Sequence, residues 1–225
     1  MKSDFEILEI VKQTIKKESE SIKKLLDYID NEFVSAVKEI FNSKGRVIIS
    51  GIGKSAIIGN KIVATLNSTG TPAIFMHAAE AIHGDLGIIQ PDDVVICISK
   101  SGNTPEIKVL TPLVKSRGNK LIALVGNTDS YLAKSADYVL NCTVEKEACP
   151  NNLAPTSSTT AQLVLGDALA VALLYCKNFT AQDFARYHPG GSLGKRLYLK
   201  VSDLYVKNEK PQVSLSTPLR DTLME

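Results

Sequence analysis

The stretch Asp93-Val-Val-Ile-Cys-Ile-Ser-Lys-Ser-Gly-Asn-Thr-Pro-Glu-Ile107 decides the fold. Val94 to Ile98 is a continuous apolar run rich in β-branched residues. Such a run predicts a strand buried on both faces. The chain then turns polar through Ser99, Lys100, Ser101, Gly102, Asn103 and Thr104, and Ile107, Leu110 and Val114 resume at helical spacing. Thr104 fits an N-cap, Pro105 the first helical position and Glu106 the first turn. A buried strand, a hydroxyl-rich turn and a helix start together describe an anion pocket. Open backbone N–H groups and the positive helix end face whatever lies above the strand's carboxyl end. Ser99, Ser101 and Thr104 add hydroxyl donors, Asn103 lies among them, and Gly102 permits φ > 0 or close backbone approach. Phosphate is the natural guest, and an ordinary capped turn is the plainer alternative.

Outward from this stretch, strands alternate with helices. Arg46–Ser50, Ala73–Met76, Leu121–Val125 and Tyr138–Asn141 read as further strands. Helices are expected from the Gly51 turn to Asn67, over Thr104–Lys115, Asp129–Lys134, Ser157–Tyr175 and Phe179–Phe184. His77 to Gly87 is a polar loop with room for one helical turn, and Thr143 to Pro155 is a long loop. The pattern predicts an α/β fold, a doubly wound five-stranded parallel sheet flanked by helices. Ligands in such folds sit beyond the carboxyl ends of the strands, where the strand order reverses. Two helices precede the first strand. One spans residues 4 to 29, with Phe5, Leu8, Val11, Ile15, Ile22, Leu25, Leu26 and Ile29 among charges; the other spans Asn31–Phe41, with Gly45 expected to end it. This N-terminal extension has a face to lay on the core or on a partner subunit. Ser157–Tyr175 is apolar nearly all round, which predicts burial in the core or at a subunit interface.

The 225 residues are 44% hydrophobic and 22% charged, ordinary for a soluble globular protein. A net charge of +2 is too mild for a nucleic-acid binder. No stretch approaches the ~18 uninterrupted apolar residues of a membrane span. The N-terminal Met1-Lys-Ser-Asp-Phe-Glu has charges where a signal peptide needs an apolar core, so the expected location is cytoplasmic. Cys97, Cys142, Cys149 and Cys176 form no C-x-x-C pair. All four are expected to be reduced and mostly buried, Cys97 and Cys176 lying in apolar runs, and Cys149, in a polar loop, is the candidate reactive thiol.

The turn Gly51-Ile-Gly-Lys-Ser55 fails the P-loop pattern, because the position five before Gly53 is Ile48. It matches the looser dinucleotide pattern through Gly51, Gly53 and Ala56, but the acidic residue expected ~20 positions on is absent; Gly70, Thr71 and Pro72 stand there. What remains is a tight turn delivering Lys54 and Ser55 to the ligand edge. Gly51, Ser55, Gly70 and Thr71 are kept as candidate contacts, and Lys54 as a candidate anion contact.

Ser99-x-Ser-Gly-x-Thr104 after a strand resembles the phosphosugar signature of sugar isomerase (SIS) domains. The likeness is extended by Gly51–Ser55, His77-Ala-Ala-Glu-Ala-Ile-His-Gly-Asp-Leu-Gly87, Lys146–Thr160 and His188-Pro-Gly-Gly-Ser-Leu-Gly194. Together these are similar to the arabinose-5-phosphate isomerases. The resemblance covers about Gly45 to Leu197 and implies a flavodoxin-like strand order. It implies interconversion of D-ribulose 5-phosphate and D-arabinose 5-phosphate, the opening step toward Kdo for lipopolysaccharide or capsule. It implies a catalytic set of Lys54, Glu106, Glu147 and His188, and phosphate contacts from Ser99, Ser101 and Thr104 with Ser157 and Ser158 nearby. His77 and His83 are candidate sugar contacts, with a metal pair or neither role as the alternatives, and the resemblance makes His77 the first choice for an inhibitory zinc. A homotetramer with shared active sites is implied too; no cofactor is expected to be required, and no nucleic-acid or membrane partner. The chain divides accordingly into helices 1–44, an isomerase domain 45–198 and a tail 199–225 that resembles the start of a CBS domain.

Such an isomerisation moves a proton between C1 and C2 through an enediol. Glu147, in the long loop, is the favoured base on the expectation that desolvation raises its pKa. Glu106 is the rival, Lys54 the enediolate stabiliser and His188 the ring-opening group. The alternatives are a non-catalytic phosphosugar sensor, or an isomerase of another ketose phosphate.

Overall fold

The runs that read as buried strands do form them. In the computed structural model, which describes residues 1–190 and 213–222, β1 (Val47–Gly51), β2 (Ala73–His77), β3 (Val94–Ser99), β4 (Lys120–Val125) and β5 (Tyr138–Asn141) make one parallel sheet. Its order is β2-β1-β3-β4-β5. Val47 pairs with Val94 and Gly51 with Ile98, so the carboxyl ends of β1 and β3 lie side by side. All residues of β1 and β3 are buried, which only a sheet covered on both faces allows.

Side-chain alternation sorts the strand residues to two cores. Ile49, Ile96, Ile98, Ile122 and Leu124 face α2 (Asn31–Asn42), α3 (Gly53–Ser68) and α6 (Ser157–Cys176), meeting Phe33, Val37, Ile62, Leu66, Leu165 and Leu169. Ile48, Val95, Cys97, Leu121 and Ala123 face the other way, with Ile107, Leu110 and Val114 of α4 (Pro105–Ser116) and Leu132 of α5 (Tyr131–Ser135). The amino edge of the sheet is closed by polar ties. Arg46 pairs with the Asp93 carboxylate at 2.9 Å, and Asn119 Nδ2 donates to the Gln90 and Asp93 carbonyls at 2.7 and 2.8 Å. Burial works against the Asp93 charge, but Arg46 and the N–H groups of Arg46 and Gln90 hold its carboxyl below the usual range. The carboxyl edge carries the polar turns instead.

Several boundaries differ from the sequence reading. The first helix, α1 (Asp4–Lys24), stops short of residue 29 and gives way to a 3₁₀ turn over Leu25–Tyr28. Leu25 drops into the core there, and Asp30 turns the chain into α2 by accepting from Glu32 N at 2.9 Å. Gly45 does not end α2. Its role is a close passage of backbones, since a Cβ there would lie 2.3 Å from the Asp92 carbonyl carbon. The loop after β2 holds two 3₁₀ turns, Ala81–His83 and Asp85–Ile88. Cys176, the last residue of α6, is exposed rather than buried. By length and composition α6 is apolar enough to cross a membrane, contrary to the span count from sequence, but its buried face packs in the core.

Met1–Phe179 forms one compact unit, which includes the helices of residues 1–44. Phe179 N bonds the Leu174 carbonyl and so belongs to the end of α6. The second unit begins at Thr180. In it α7 (Ala181–Tyr187) is started by a capping box of Thr180 and Asp183, and α8 (Leu219–Thr222) is a single turn. The Gly191–Gly194 part of the glycine-rich loop and most of the tail resembling a CBS start lie outside the described residues.

Candidate active site

β1 leads through α3 to β2 on one side, while β3 leads through α4 to β4 on the other. The order reverses between β1 and β3, and the crevice at that point is where open α/β sheets bind ligands. A cleft of about 380 Å³ occupies it. Ile52, Lys54 and Ser55 line it from the β1–α3 turn, Ser99, Lys100, Ser101 and Thr104 from the β3–α4 turn, and Ser158, Thr159 and Gln162 from α6.

The β3–α4 turn is shaped by hydrogen bonds that leave donors over. Ser99 Oγ accepts from Gly102 N at 3.0 Å, and Ser101 Oγ accepts from Asn103 N at 3.2 Å. Both hydroxyl protons therefore remain for a guest. Gly102 has φ +63°, and a Cβ there would lie 2.1 Å from Ser130 Oγ, so glycine is required twice over. Thr104 occupies the N-cap position but makes no capping bond, and its Oγ1 is buried without a partner. The first-turn N–H groups of α4 have no intrahelical acceptors and stay open to an anion. Lys54 is exposed and makes no ion pair among the described residues. Glu106, half-buried in the first turn of α4, likewise has no hydrogen-bonding or ionic partner among them.

Glu147 is the opposite case. It is 1% exposed. Its Oε1 accepts from Lys100 Nζ at 2.6 Å and Ser158 Oγ at 2.5 Å. Its Oε2 accepts from Thr156 N at 2.8 Å and Ser158 N at 3.1 Å. The carboxylate thus caps α6, whose own N-cap Thr156 makes no side-chain capping bond. Burial pushes the Glu147 pKa up, but Lys100, Ser158 and the two amides outweigh it and hold the carboxyl down at about 2. This overturns the expectation of a raised pKa.

Gln162, one turn beyond Ser158, is 0% exposed, and both its Nε2 and Oε1 lack partners. Each unmet buried group of this kind costs about 1–3 kcal/mol. Ser157 is buried too, with an unpartnered Oγ, but it is not among the residues lining the cleft. Cys149 Sγ accepts from Leu153 and Ala154 N at 3.1 Å each. Burial opposes the thiolate, yet these and neighbouring N–H groups bring the Cys149 pKa below its usual value. Burial sends the Cys97 and Cys142 thiols up to about 12.

Residues 39–172 match the SIS domain family. Arabinose 5-phosphate isomerase KdsD of Pseudomonas aeruginosa is 52% identical over 100% of this chain, which spans 69% of that protein. The chain belongs to the SIS domain family. The Shigella flexneri protein of the same name is 49% identical over 98% of the chain and 68% of its own length. An E. coli CFT073 protein solved in complex with arabinose 5-phosphate superposes with a TM-score of 0.80 at 41% identity, covering 84% of this chain and all of that one.

Within this SIS domain the structure brings Lys54, Ser55, Ser99, Ser101, Thr104 and Ser158 to one cleft. Gly51 lies at its base, where a Cβ would meet Ala56 N at 3.3 Å and Ile98 O at 3.3 Å. Gly70 and Thr71 do not belong to it. They precede β2 at the amino edge, where Lys177 Nζ donates to the Gly70 carbonyl at 2.9 Å and to Thr71 Oγ1 at 2.8 Å. The sequence reading placed them by an offset from a motif the chain does not complete. Asn103 is turned away as well, its Oδ1 accepting from Tyr131 N at 3.0 Å to hold α5. His77 ends β2 beside Gly51, with Nδ1 buried and unpartnered, while His83 is exposed. No group of three or more His, Cys, Asp or Glu side chains fit to hold a metal occurs among the described residues. His188 belongs to the second unit, stacked on Phe184 at 3.9 Å, with its Nδ1 donating to the Phe184 carbonyl at 2.8 Å. The neutral ring then keeps its lone pair on Nε2. Sequence reasoning missed Lys100 and Gln162. Lys100 occupies a variable position of the signature, and Gln162 is one polar side chain in an apolar helix.

Proposed function

We propose that the chain is an arabinose-5-phosphate isomerase, interconverting D-ribulose 5-phosphate and D-arabinose 5-phosphate through an enediol. The observation that carries this reading is the cleft at the β1–β3 switch point, which open hydroxyls and first-turn amides line together with Lys54. The phosphate takes the β3–α4 turn, with Ser99, Ser101 and Thr104 as donors. That fixes the sugar and extends its carbonyl end across the cleft. Lys54 stabilises the negative charge that develops on the enediolate oxygen. Glu106 moves the carbon-bound proton, being the glutamate whose oxygens are not already engaged. Glu147 positions Lys100 and the start of α6 rather than acting as the base. The family resemblance assigns opening of the aldose's furanose ring to His188. No step in this scheme needs a metal or other cofactor. The enzyme works in the cytoplasm as a homotetramer, and its product feeds Kdo synthesis for lipopolysaccharide or capsule.

The test is a panel of pentose and hexose phosphates offered to the purified chain, with the product identified by chromatography. Ribulose 5-phosphate should be converted to arabinose 5-phosphate, and hexulose 6-phosphate left unchanged. Binding without conversion of any sugar would make the protein a sensor and overturn the reading.

A further inference from the structure

Gln162 is the largest buried polar side chain of the cleft with nothing to bond to. It is 0% exposed, its Nε2 and Oε1 both lack partners, and it lines the cleft on the α6 side. An amide in a core helix can turn either end to any nearby backbone group, so leaving both ends unmet is unusual for a folded protein. The helix does not need it there. Ala161, Leu165, Leu169 and Leu173 already fill the core side, and an apolar side chain of similar length would complete α6 without an unmet group. Ser158 lies four residues earlier, on the same helix face, but it is committed to Glu147. The α6 side of the cleft therefore offers one uncommitted donor–acceptor pair.

We propose that Gln162 is a specificity-determining residue that reads the polyol part of the substrate. Its Nε2 donates to one sugar oxygen and its Oε1 accepts from a neighbouring hydroxyl. The inference rests on the phosphosugar reading above and deepens it. The phosphate turn holds any phosphate ester, whereas a donor and acceptor at one fixed spacing distinguish the stereochemistry of adjacent hydroxyls. A site that hydrogen-bonds a substrate hydroxyl rejects analogues that leave its own polar groups unpaired.

The experiment compares wild type with Q162M by calorimetric binding of arabinose 5-phosphate and of inorganic phosphate, and by thermal melting. Q162M should bind arabinose 5-phosphate about 10- to 100-fold more weakly, the loss of two ordinary hydrogen bonds. Its affinity for inorganic phosphate should be unchanged and its Tm equal or higher, because the substitution removes unmet buried groups. Lost stability with unchanged sugar affinity would mark Gln162 as structural and overturn the proposal. Should Q162M fail to fold, Q162N keeps the amide but retracts it by one methylene. It must weaken arabinose 5-phosphate more than inorganic phosphate, and equal weakening of both would overturn the proposal. The underlying reading fails separately. A wild type that converts ribulose 5-phosphate beside a Q162M of full sugar affinity sinks only the role of Gln162. A wild type that binds arabinose 5-phosphate through Gln162 yet converts nothing sinks only the isomerase.

Discussion

Glu147 and Glu106 separate two ways in which a carboxylate serves a cleft. Glu147 is committed at both oxygens, to Lys100, Ser158 and Thr156, and its carboxyl titrates at about 2 against an ordinary 4.5. A folded pKa below the unfolded one stabilises the protein above the unfolded value, and that stability is lost as pH falls through the folded one. The shift corresponds to on the order of 3 kcal/mol. Glu147→Gln should therefore lower unfolding stability by about that much near neutrality, and the gap should shrink between pH 4.5 and pH 2. Urea melts of both proteins at pH 7 and pH 3 measure it, and a gap that does not change with pH would contradict the assignment. Glu106 has no partner to lose among the described residues. Glu106→Gln should leave stability within about 0.5 kcal/mol and reduce kcat by about 10²- to 10⁴-fold. Undiminished turnover would remove it from proton transfer. At this scale the sequence revealed which residues gather but not what each is bonded to. Loop 143–155 gave no sign that Glu147 folds back onto the start of α6, because that contact joins residues whose relation exists only after the helix has packed. Burial does push this carboxyl up, as its loop position suggested; the hydrogen-bonding groups that reverse the sign could not be read from the chain.

The helix starts show the same division at the level of elements. Thr104 was legible as the cap of α4, and it stands at that position, yet it makes no capping bond. Ser130 does cap α5, its Oγ accepting from Ala133 N at 3.3 Å, and it packs against Gly102. A capping side chain replaced by alanine normally costs about 1 kcal/mol. Thr104→Ala should cost much less and instead raise KM for the phosphosugar, whereas Ser130→Ala should show the full stability loss. Chemical denaturation paired with steady-state kinetics distinguishes them, and a destabilised Thr104→Ala would mean the hydroxyl caps its helix after all. The strands were legible almost to the residue because double-sided burial leaves an uninterrupted apolar run, as in Val94–Ile98. The end of α1 was not, since Leu25, Leu26 and Ile29 keep helical spacing beyond the point where Leu25 enters the core and the backbone tightens. Gly70 and Thr71 were misplaced for a different reason: counting residues along the chain does not say which sheet edge is reached.

For the molecule as a whole, the remaining question is what covers α1. None of its residues is buried, and Phe5, Leu8, Val11 and Ile15 are 72%, 57%, 50% and 63% exposed along one stripe. Its C-terminal half is tied to the sheet-bearing unit, with Glu18 accepting from Thr160 Oγ1 at 3.0 Å and Lys24 paired with Glu145. The N-terminal half has a capping box of Ser3 and Glu6 and no buried residue. Helices in water owe most of their stability to packing of the apolar face, and contiguous exposed stripes of this kind mark interaction sites. Val171 and Tyr175 of α6 are also exposed, at 58% and 81%. A second copy of the chain would cover such surfaces, in line with the proposed tetramer. Replacing Leu8, Val11 and Ile15 together by Glu should shift the sedimenting mass to a smaller species at micromolar concentration without lowering the sheet's resistance to denaturant. If active sites are completed across subunits, turnover per chain should fall in parallel and recover as protein concentration rises. A triple variant that sediments with the wild-type mass would show that this stripe faces something other than a second copy.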